Sequence, residues 1–237
     1  MSSSLVIIPT YNEIENIEKM IRKVLGYPHD FHILIIDDGS PDGTAQKVEE
    51  LQNEFEGKLF IEKRSGKLGL GTAYIHGFKW ALDRHYTYIF EMDCDFSHNP
   101  DDLIRLRQPL ESGKYQLSVG SRYVKGGNTI NWPIGRKLMS YFASVYVRLV
   151  LFIAIKDTTA GFKCYHRDVL SKINFDAVIF KGYAFQICMK YAALKHGFKI
   201  IEVPITFIDR EFGTSKMNAS IFKEALYGVW KMRFMKL

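Results

Sequence analysis

FHILIIDDGSPDGTAQKVEELQNEF, residues 31–55, reads as one β-strand feeding one α-helix. Phe31–Ile36 is a short apolar run rich in β-branched residues, the pattern of a strand covered on both faces. Asp37 and Asp38 close it, a polar SPDGT loop follows, and Val48, Leu51 and Phe55 then recur on one face of a helix spanning 44–55. Upstream, Leu5–Ile8 repeats the buried-strand pattern and ends at Pro9; 13–25 carries Ile14, Ile17, Ile21, Val24 and Leu25 at helical spacing and stops at Gly26. Downstream come a strand at 59–62, a helix at 71–84 and a strand at 86–92 that runs into DCD. Strand–helix alternation at this pitch predicts a doubly wound, parallel sheet over the first hundred residues.

Beyond residue 100 the rhythm changes. DDLIRLRQPL reads as a short helix and 116–120 as a strand; 120–137 is rich in glycine and basic residues, and an apolar helical stretch then runs to about residue 155. The tail holds a strand at 199–205, a basic loop at 209–216 and an amphipathic cationic helix. With no linker in 237 residues, the expectation is a single domain, 1–237. Its first half (1–100) would bind a nucleotide and its second half (101–237) an acceptor.

Composition excludes several classes. The chain is 47% hydrophobic and 24% charged, which suits a folded core and not a disordered chain. Cys94, Cys164 and Cys188 are widely spaced, so neither a zinc site nor a disulfide framework is indicated, and a cytoplasmic location is expected. No apolar run reaches the ~18 residues of a spanning helix. The net charge of +6 points to an anionic partner. Nucleic acid is not expected, because the acidic strand ends would repel its phosphates.

Asp93 and Asp95 fall at the carboxyl end of a predicted strand, where open α/β sheets bind ligands. Two acids one residue apart offer hard oxygen ligands to Mg²⁺ or Mn²⁺. On spacing alone, a solvated turn before Asn99-Pro100 is an equal reading. Asp37 and Asp38 would lie on the same rim, suited to ribose hydroxyls or base N–H groups, although Asp38 also reads as a helix cap. RSGKLGLGT, residues 64–72, lacks the Walker spacing, so an ATPase is excluded; Lys67 remains a phosphate candidate or part of a plain turn.

PTYNE (9–13), DDGSPDGT (37–44), GKLGLGTAY (66–74) and MDCDFSHNP (92–100) together resemble the inverting family 2 glycosyltransferases of GT-A fold, and more narrowly the dolichol/polyprenol-phosphate mannose synthases. VGSRYVKGG (119–127), NWPIGRKLMS (131–140), DTTAGFKCY (157–165) and EVPITFIDREFGTSKM (202–217) continue the resemblance in order along nearly the whole chain. It implies a Rossmann-like α/β domain, with a mainly parallel sheet flanked by helices, that transfers mannose from GDP-mannose to a polyprenyl phosphate. It also implies residue roles. Pro9, Tyr11, Glu13 and Asp38 would surround the nucleotide, with Asp93 and Asp95 holding metal and diphosphate. Ser97 stands where some relatives place a metal-binding glutamine. Arg122, Arg136 and Ser140 would hold the acceptor phosphate, and Arg210 and Lys216 would belong to a basic loop over the donor. Asp95, Arg122 and Arg136 are the residues expected to carry the reaction, while Cys188 stands where many relatives carry an acid.

The chemistry agrees with that reading. A phosphate monoester is already an anion and needs no general base, so the demand is electrostatic. Guanidinium groups suit it, and Asp157 is a candidate for orienting one of them or the acceptor. His98 reads more readily as a satisfied loop residue than as a catalyst. A polyprenyl acceptor lies in a bilayer. The stretch 139–155, otherwise a buried core helix, and the cationic helix 221–237 are therefore candidates for peripheral contact with the cytoplasmic face of a membrane. Open alternatives are a UDP-glucose-dependent polyprenyl-phosphate glucosyltransferase and a non-catalytic sugar-nucleotide-binding, membrane-docking protein.

Overall fold

The computed structural model of the chain describes residues 3–209, 219–235 and 237, with backbone alone for 219–226. β1 (Ser4–Thr10), β2 (Phe31–Asp37) and β3 (Leu59–Lys63) alternate with α1 (Ile17–Leu25), α2 (Thr44–Gln52) and α3 (Leu70–Asp83). Next come β4 (Tyr88–Glu91), α4 (Asp102–Glu111), β5 (Leu117–Ser121), β6 (Asn128–Ile130) and α5 (Ile134–Leu151). β7 (Lys163–His166), α6 (Arg167–Lys172), α7 (Tyr183–Lys195), β8 (Ile200–Pro204), β9 (Thr206–Ile208) and α8 (Ala219–Phe234) complete the order. Seven strands form one sheet, β3-β2-β1-β4-β7-β5-β8, and β6 pairs with β9 apart from it. Within the large sheet only β7 is reversed, antiparallel to both β4 and β5.

The period of two along β1 and β2 sorts their side chains between two cores. Leu5, Ile7, Leu34 and Ile36 pack with Phe78 of α3 and Phe185 of α7. Val6, Ile8, Ile33 and Ile35 pack with Ile21 of α1, Val48 of α2 and Leu106 of α4. All eight strand side chains are fully buried, each contributing about 1.5–3 kcal/mol of hydrophobic stabilisation. Covering both faces is what makes these strands read as unbroken apolar runs.

Several boundaries differ from the sequence reading. β1 continues through Pro9 to Thr10, because β4 pairs with β1 only as far as Ile7 and asks no N–H of Pro9. α1 starts at Ile17 and not at residue 13: the N–H groups of Asn12, Glu13 and Ile14 donate instead to Ser40, Thr44 and Asp42 side chains. Those bonds tie the loop after β1 to the loop after β2. The sequence reading did not contain β7, α6 or α7. β7 is four residues long with a lysine in the middle of the sheet, and α7 buries side chains on every face, so it shows no amphipathic period.

This topology places the site. The chain winds from β1 to β2 to β3, then crosses back to β4 on the other side of β1. The crevice beyond the carboxyl ends of β1 and β4 is therefore a topological switch point. Tyr11 follows one strand there, and Asp93 the other.

Candidate active site

A cavity of about 640 Å³ opens at this crevice and gathers residues from both halves of the chain. Pro9, Tyr11, Glu13, Asp38 and Lys67 line it from the first half, with Asp93, Asp95 and Ser97 on the loop after β4. Arg122, Arg136 and Ser140 line it from the second half. Arg210 and Lys216 lie outside the described residues.

The two acids after β2 have different positions. Asp37 does not line the cavity: its carboxylate accepts from Thr10 and Ser40 hydroxyls at 2.8 and 2.6 Å and from the Gly39 and Ser40 N–H groups, fixing the turn. The rim acid is Asp38 alone, held by Arg64 Nε at 2.6 Å. Nearby, Lys67 Nζ sits 4.9 Å from the centre of the Tyr11 ring, in cation–π contact. The glycine-rich loop owes its tightness to packing. A Cβ on Gly71 would come within 2.6 Å of the Phe180 carbonyl, so this glycine lets the loop approach the segment before α7.

On the DCD loop, Asp95 Oδ1 accepts the Ser97 N–H at 3.1 Å, and the Asp93 N–H donates to His98 Nδ1 at 3.3 Å. Burial pushes the His98 imidazole down to about 4, so the neutral ring accepts that N–H, stacked on Phe162. The contact of His98 with the Asp93 carboxylate at 3.8 Å is therefore not a charge pair. His98 shapes the loop. Phe96 takes a left-handed φ of 57° between the two halves of the turn, strain of a kind that collects at ligand sites.

The loop fits a hard divalent cation. Asp93 keeps 40% of its side chain exposed, and Ser97 Oγ is buried with no hydrogen-bond partner among the described residues. Among the described residues no cluster of three His, Cys, Asp or Glu side chains is arranged for a metal. The protein would offer two carboxylates and a hydroxyl, and a substrate diphosphate the remaining oxygens.

Across the cavity, Arg122 donates to both oxygens of Asp157, at 2.7 and 2.6 Å, and to Thr159 Oγ1 at 2.9 Å. Asp157 also accepts the Arg122 N–H, and Glu202 accepts the Asp157 N–H. Burial opposes the charge on both partners, but their mutual attraction outweighs it: Asp157 is held below the usual carboxylate range and Arg122 above its ordinary value. Arg136, at the start of α5, is 2.9 Å from both oxygens of Asp209 and lies 4.3 Å from the Trp132 ring centre. Trp132, Tyr123 and Phe207 surround the Arg122 guanidinium at 5.1–5.6 Å.

With this geometry in view, comparison with known proteins is informative. The description "Glycosyl transferase family 2" matches residues 5–174. The chain belongs to this family. It is 46% identical over 232 residues to polyprenol monophosphomannose synthase of Mycolicibacterium smegmatis, covering 97% of this chain and 87% of the relative. It is 42% identical over 225 residues to undecaprenyl-phosphate mannosyltransferase of Micrococcus luteus, covering 95% and 91%. Glucosyl-3-phosphoglycerate synthase from Mycobacterium tuberculosis, solved with UDP, shares the fold with a TM-score of 0.68 at 15% identity, over 97% of this chain and 79% of that one. A mannosyltransferase from Pyrobaculum calidifontis, solved with GDP-Man and Mn²⁺, gives 0.57 at 16% identity, over 98% and 70%. The α/β fold with its mainly parallel sheet is thus that of GT-A glycosyltransferases.

For this family 2 glycosyltransferase, the sequence reading missed several cavity residues. Lys181, Tyr183 and Gln186 come from α7 and the loop before it, and Arg64 is the partner of Asp38. Trp132 and Phe207 lay inside quoted motifs, yet nothing in their spacing marked them as neighbours of the arginines.

Proposed function

We propose that the enzyme transfers mannose, with inversion, from GDP-mannose to a polyprenyl phosphate. The observation that carries the reading is one continuous cavity lined both by the strand-end carboxylates and by phosphate-suited arginines. The names of the two relatives support the acceptor class and the sugar. The GDP-Man and Mn²⁺ bound to the Pyrobaculum enzyme support the donor and a divalent metal.

In this reading Pro9, Tyr11, Glu13 and Asp38 receive the nucleoside, Lys67 meets donor phosphate, and Asp93, Asp95 and Ser97 hold Mg²⁺ or Mn²⁺. The metal, when bound, neutralises charge on the diphosphate leaving group. Arg122, Arg136 and Ser140 orient the acceptor phosphate. One of its oxygens forms a bond to the anomeric carbon as the bond from that carbon to the diphosphate breaks, and GDP departs with the electron pair. No proton moves, which agrees with a site whose buried histidine is neutral and committed to its loop. Asp157 acts as a positioning residue for Arg122.

The single-domain division of labour is part of the same proposal, donor in 1–100 and acceptor in 101–237. So is peripheral attachment at the cytoplasmic face of a membrane. Among the described residues no helix is long and apolar enough to cross a membrane. A surface is nevertheless available: Ile134, Leu138, Phe142 and Leu149 form an exposed stripe along α5, with Phe152 just past its end and Tyr227, Trp230 and Phe234 exposed on α8. The test is transfer from GDP-mannose and from UDP-glucose to a short polyprenyl phosphate with Mg²⁺, Mn²⁺ or chelator. Mannosyl transfer abolished by chelator is expected. Glucosyl transfer alone would overturn the donor assignment, and no transfer at all would favour a binding protein.

A further inference from the structure

We infer that Gln186 is a sugar-positioning residue: its carboxamide NH₂, turned into the cavity by a buried lysine, donates to a hydroxyl of the hexose being transferred. This rests on the proposed glycosyl transfer and extends it to a residue that no motif of the donor or acceptor site contains.

Gln186 lies in the first turn of α7, is 3% exposed and lines the cavity. Its Oε1 accepts from Lys163 Nζ. An ammonium has donors and no acceptor, so the carboxamide oxygen must face the lysine and the NH₂ must face away from it. Lys163 is itself fully buried, with Nζ 3.0 Å from Glu91 Oε1, which also accepts the Tyr165 hydroxyl at 2.8 Å. A second buried lysine, Lys190, donates to the Gln186 carbonyl at 3.0 Å and to the Ala160 carbonyl at 2.7 Å. The glutamine is thus fixed at its side-chain oxygen and at its backbone. Its Nε2 makes no hydrogen bond among the described residues. Because the residue lines the cavity, that unpaired donor is available to an acceptor that a ligand supplies.

The space before that nitrogen is kept open. A Cβ built on Gly161 would lie 3.6 Å from Gln186 Nε2 and 3.7 Å from His98 Cε1, ordinary contact distances, and the backbone there does not require glycine. Gly161 leaves room in the cavity. His98, which accepts the Asp93 N–H of the DCD loop, borders this gap, and Arg122 lines the same cavity. In a cavity that also carries carboxylates and arginines, a neutral directional donor suits a sugar hydroxyl better than a phosphate. A site built to bond a hydroxyl also discriminates strongly against a sugar that lacks it.

The test uses the full chain and GDP-mannose with its 2-, 3-, 4- and 6-deoxy analogues, for wild type, Gln186→Leu and Gly161→Ala. Gln186→Leu is expected to lower kcat/KM for GDP-mannose about 10- to 100-fold, leaving the affinity for GDP alone and the KM for polyprenyl phosphate within about two-fold. One deoxy analogue should cost the wild type a similar factor and cost the variant nothing further. Additive losses with all four analogues, or an unchanged kcat/KM, would overturn the assignment. If Gln186→Leu does not fold, Gly161→Ala gives the same reading, because it keeps the buried network and only places a methyl before Nε2. If the wild type turns over no hexose donor, the proposed function fails first. Gln186 is then judged by binding: Gln186→Leu must remove the extra affinity that the hexose adds to GDP, and retention of that affinity would refute the role.

Discussion

The two charged regions of the cavity hold their charges in different ways. At the proposed donor site, Asp93 and Asp95 stand on a loop set by N–H bonds of 3.3 and 3.1 Å, with Asp93 well exposed to solvent. At the proposed acceptor site, Arg122 is clamped to a fully buried carboxylate before any substrate arrives. The donor site therefore carries negative charge that calls for a cation, while Arg122 and Asp157 together are close to neutral. The comparison implies that Arg122 supplies direction through its N–H groups. In the proposed function, net positive charge for the acceptor then falls to a cation with a looser partner, and Arg136 is one: its partnership with Asp209 is only partly buried.

The largest effect expected from this contrast is at the donor site. Asp95→Ala should lower kcat by about 10³-fold, equivalent to about 4 kcal/mol, and a melting curve run alongside separates lost turnover from lost fold. An Asp95→Ala protein with full metal-dependent turnover would remove the carboxylate rim from the mechanism. The corresponding change at the acceptor site should mainly affect stability. Asp157→Asn leaves a buried guanidinium without its counter-charge, and breaking such a pair costs about 3–5 kcal/mol. Denaturant unfolding measures it.

The same pair fixes a pH dependence. Asp157 is held below its ordinary value in the folded chain, with Arg122 overcoming the opposing effect of burial. Its contribution to stability is therefore present above the unfolded value, about 4, and is lost as pH falls through the lower folded value. Melting temperatures from pH 6 to pH 3 should decline more steeply for wild type than for Asp157→Asn. Equal slopes would assign the acid sensitivity to other carboxylates. A smaller effect separates the two arginines: Arg136→Ala should raise the KM for polyprenyl phosphate about 10-fold with little loss of stability. If instead it destabilises the chain as much as Asp157→Asn does, the two arginines are not distinct in kind.

The legibility of these regions in the sequence follows the same divide. β1 to β4 could be read because each strand is covered on both faces and each intervening helix on one, so periodicity reports burial directly. The donor acids sit at strand ends, a position that the alternation itself locates. The acceptor site offers no such signal. Arg122 and Asp157 are 35 residues apart and meet only because β7 reverses direction between β4 and β5. Asp157 was a candidate for orienting an arginine; which arginine, and with what geometry, came only from the fold. Gln186 was hidden more deeply still, since α7 is apolar on all sides and its polar members face other buried groups. Asp37 is the opposite case. Its type and position matched a ligand-binding acid, yet its oxygens are occupied by the turn it closes.

The smallest predicted effect concerns the outer surface of the acceptor half. Helical spacing places Ile134, Leu138, Phe142 and Leu149 on one side of α5, with Phe152 just past its end, and that side faces outward: Ile134 and Phe152 are each 78% exposed, while Ser144, Val147 and Val150 on the other side are buried. α8 packs beside it, and Arg233 donates to the Val150 carbonyl at 2.7 Å, joining the two helices near the end of the stripe. A core helix would have turned these side chains inward. Phe142 is 62% exposed, its ring meeting the Tyr141 ring edge-to-face, so Phe142→Ser removes mostly solvent-facing surface and folding stability should change by less than about 0.5 kcal/mol. Flotation with vesicles containing anionic lipid should fall several-fold, and further for Phe142→Ser combined with Trp230→Ser. The two changes should leave transfer to a short, water-soluble polyprenyl phosphate unaltered and slow transfer to a long-chain acceptor in vesicles. A loss of stability in place of lost flotation would mean that the stripe belongs to a contact within the folded protein, and the membrane would have to be reached elsewhere.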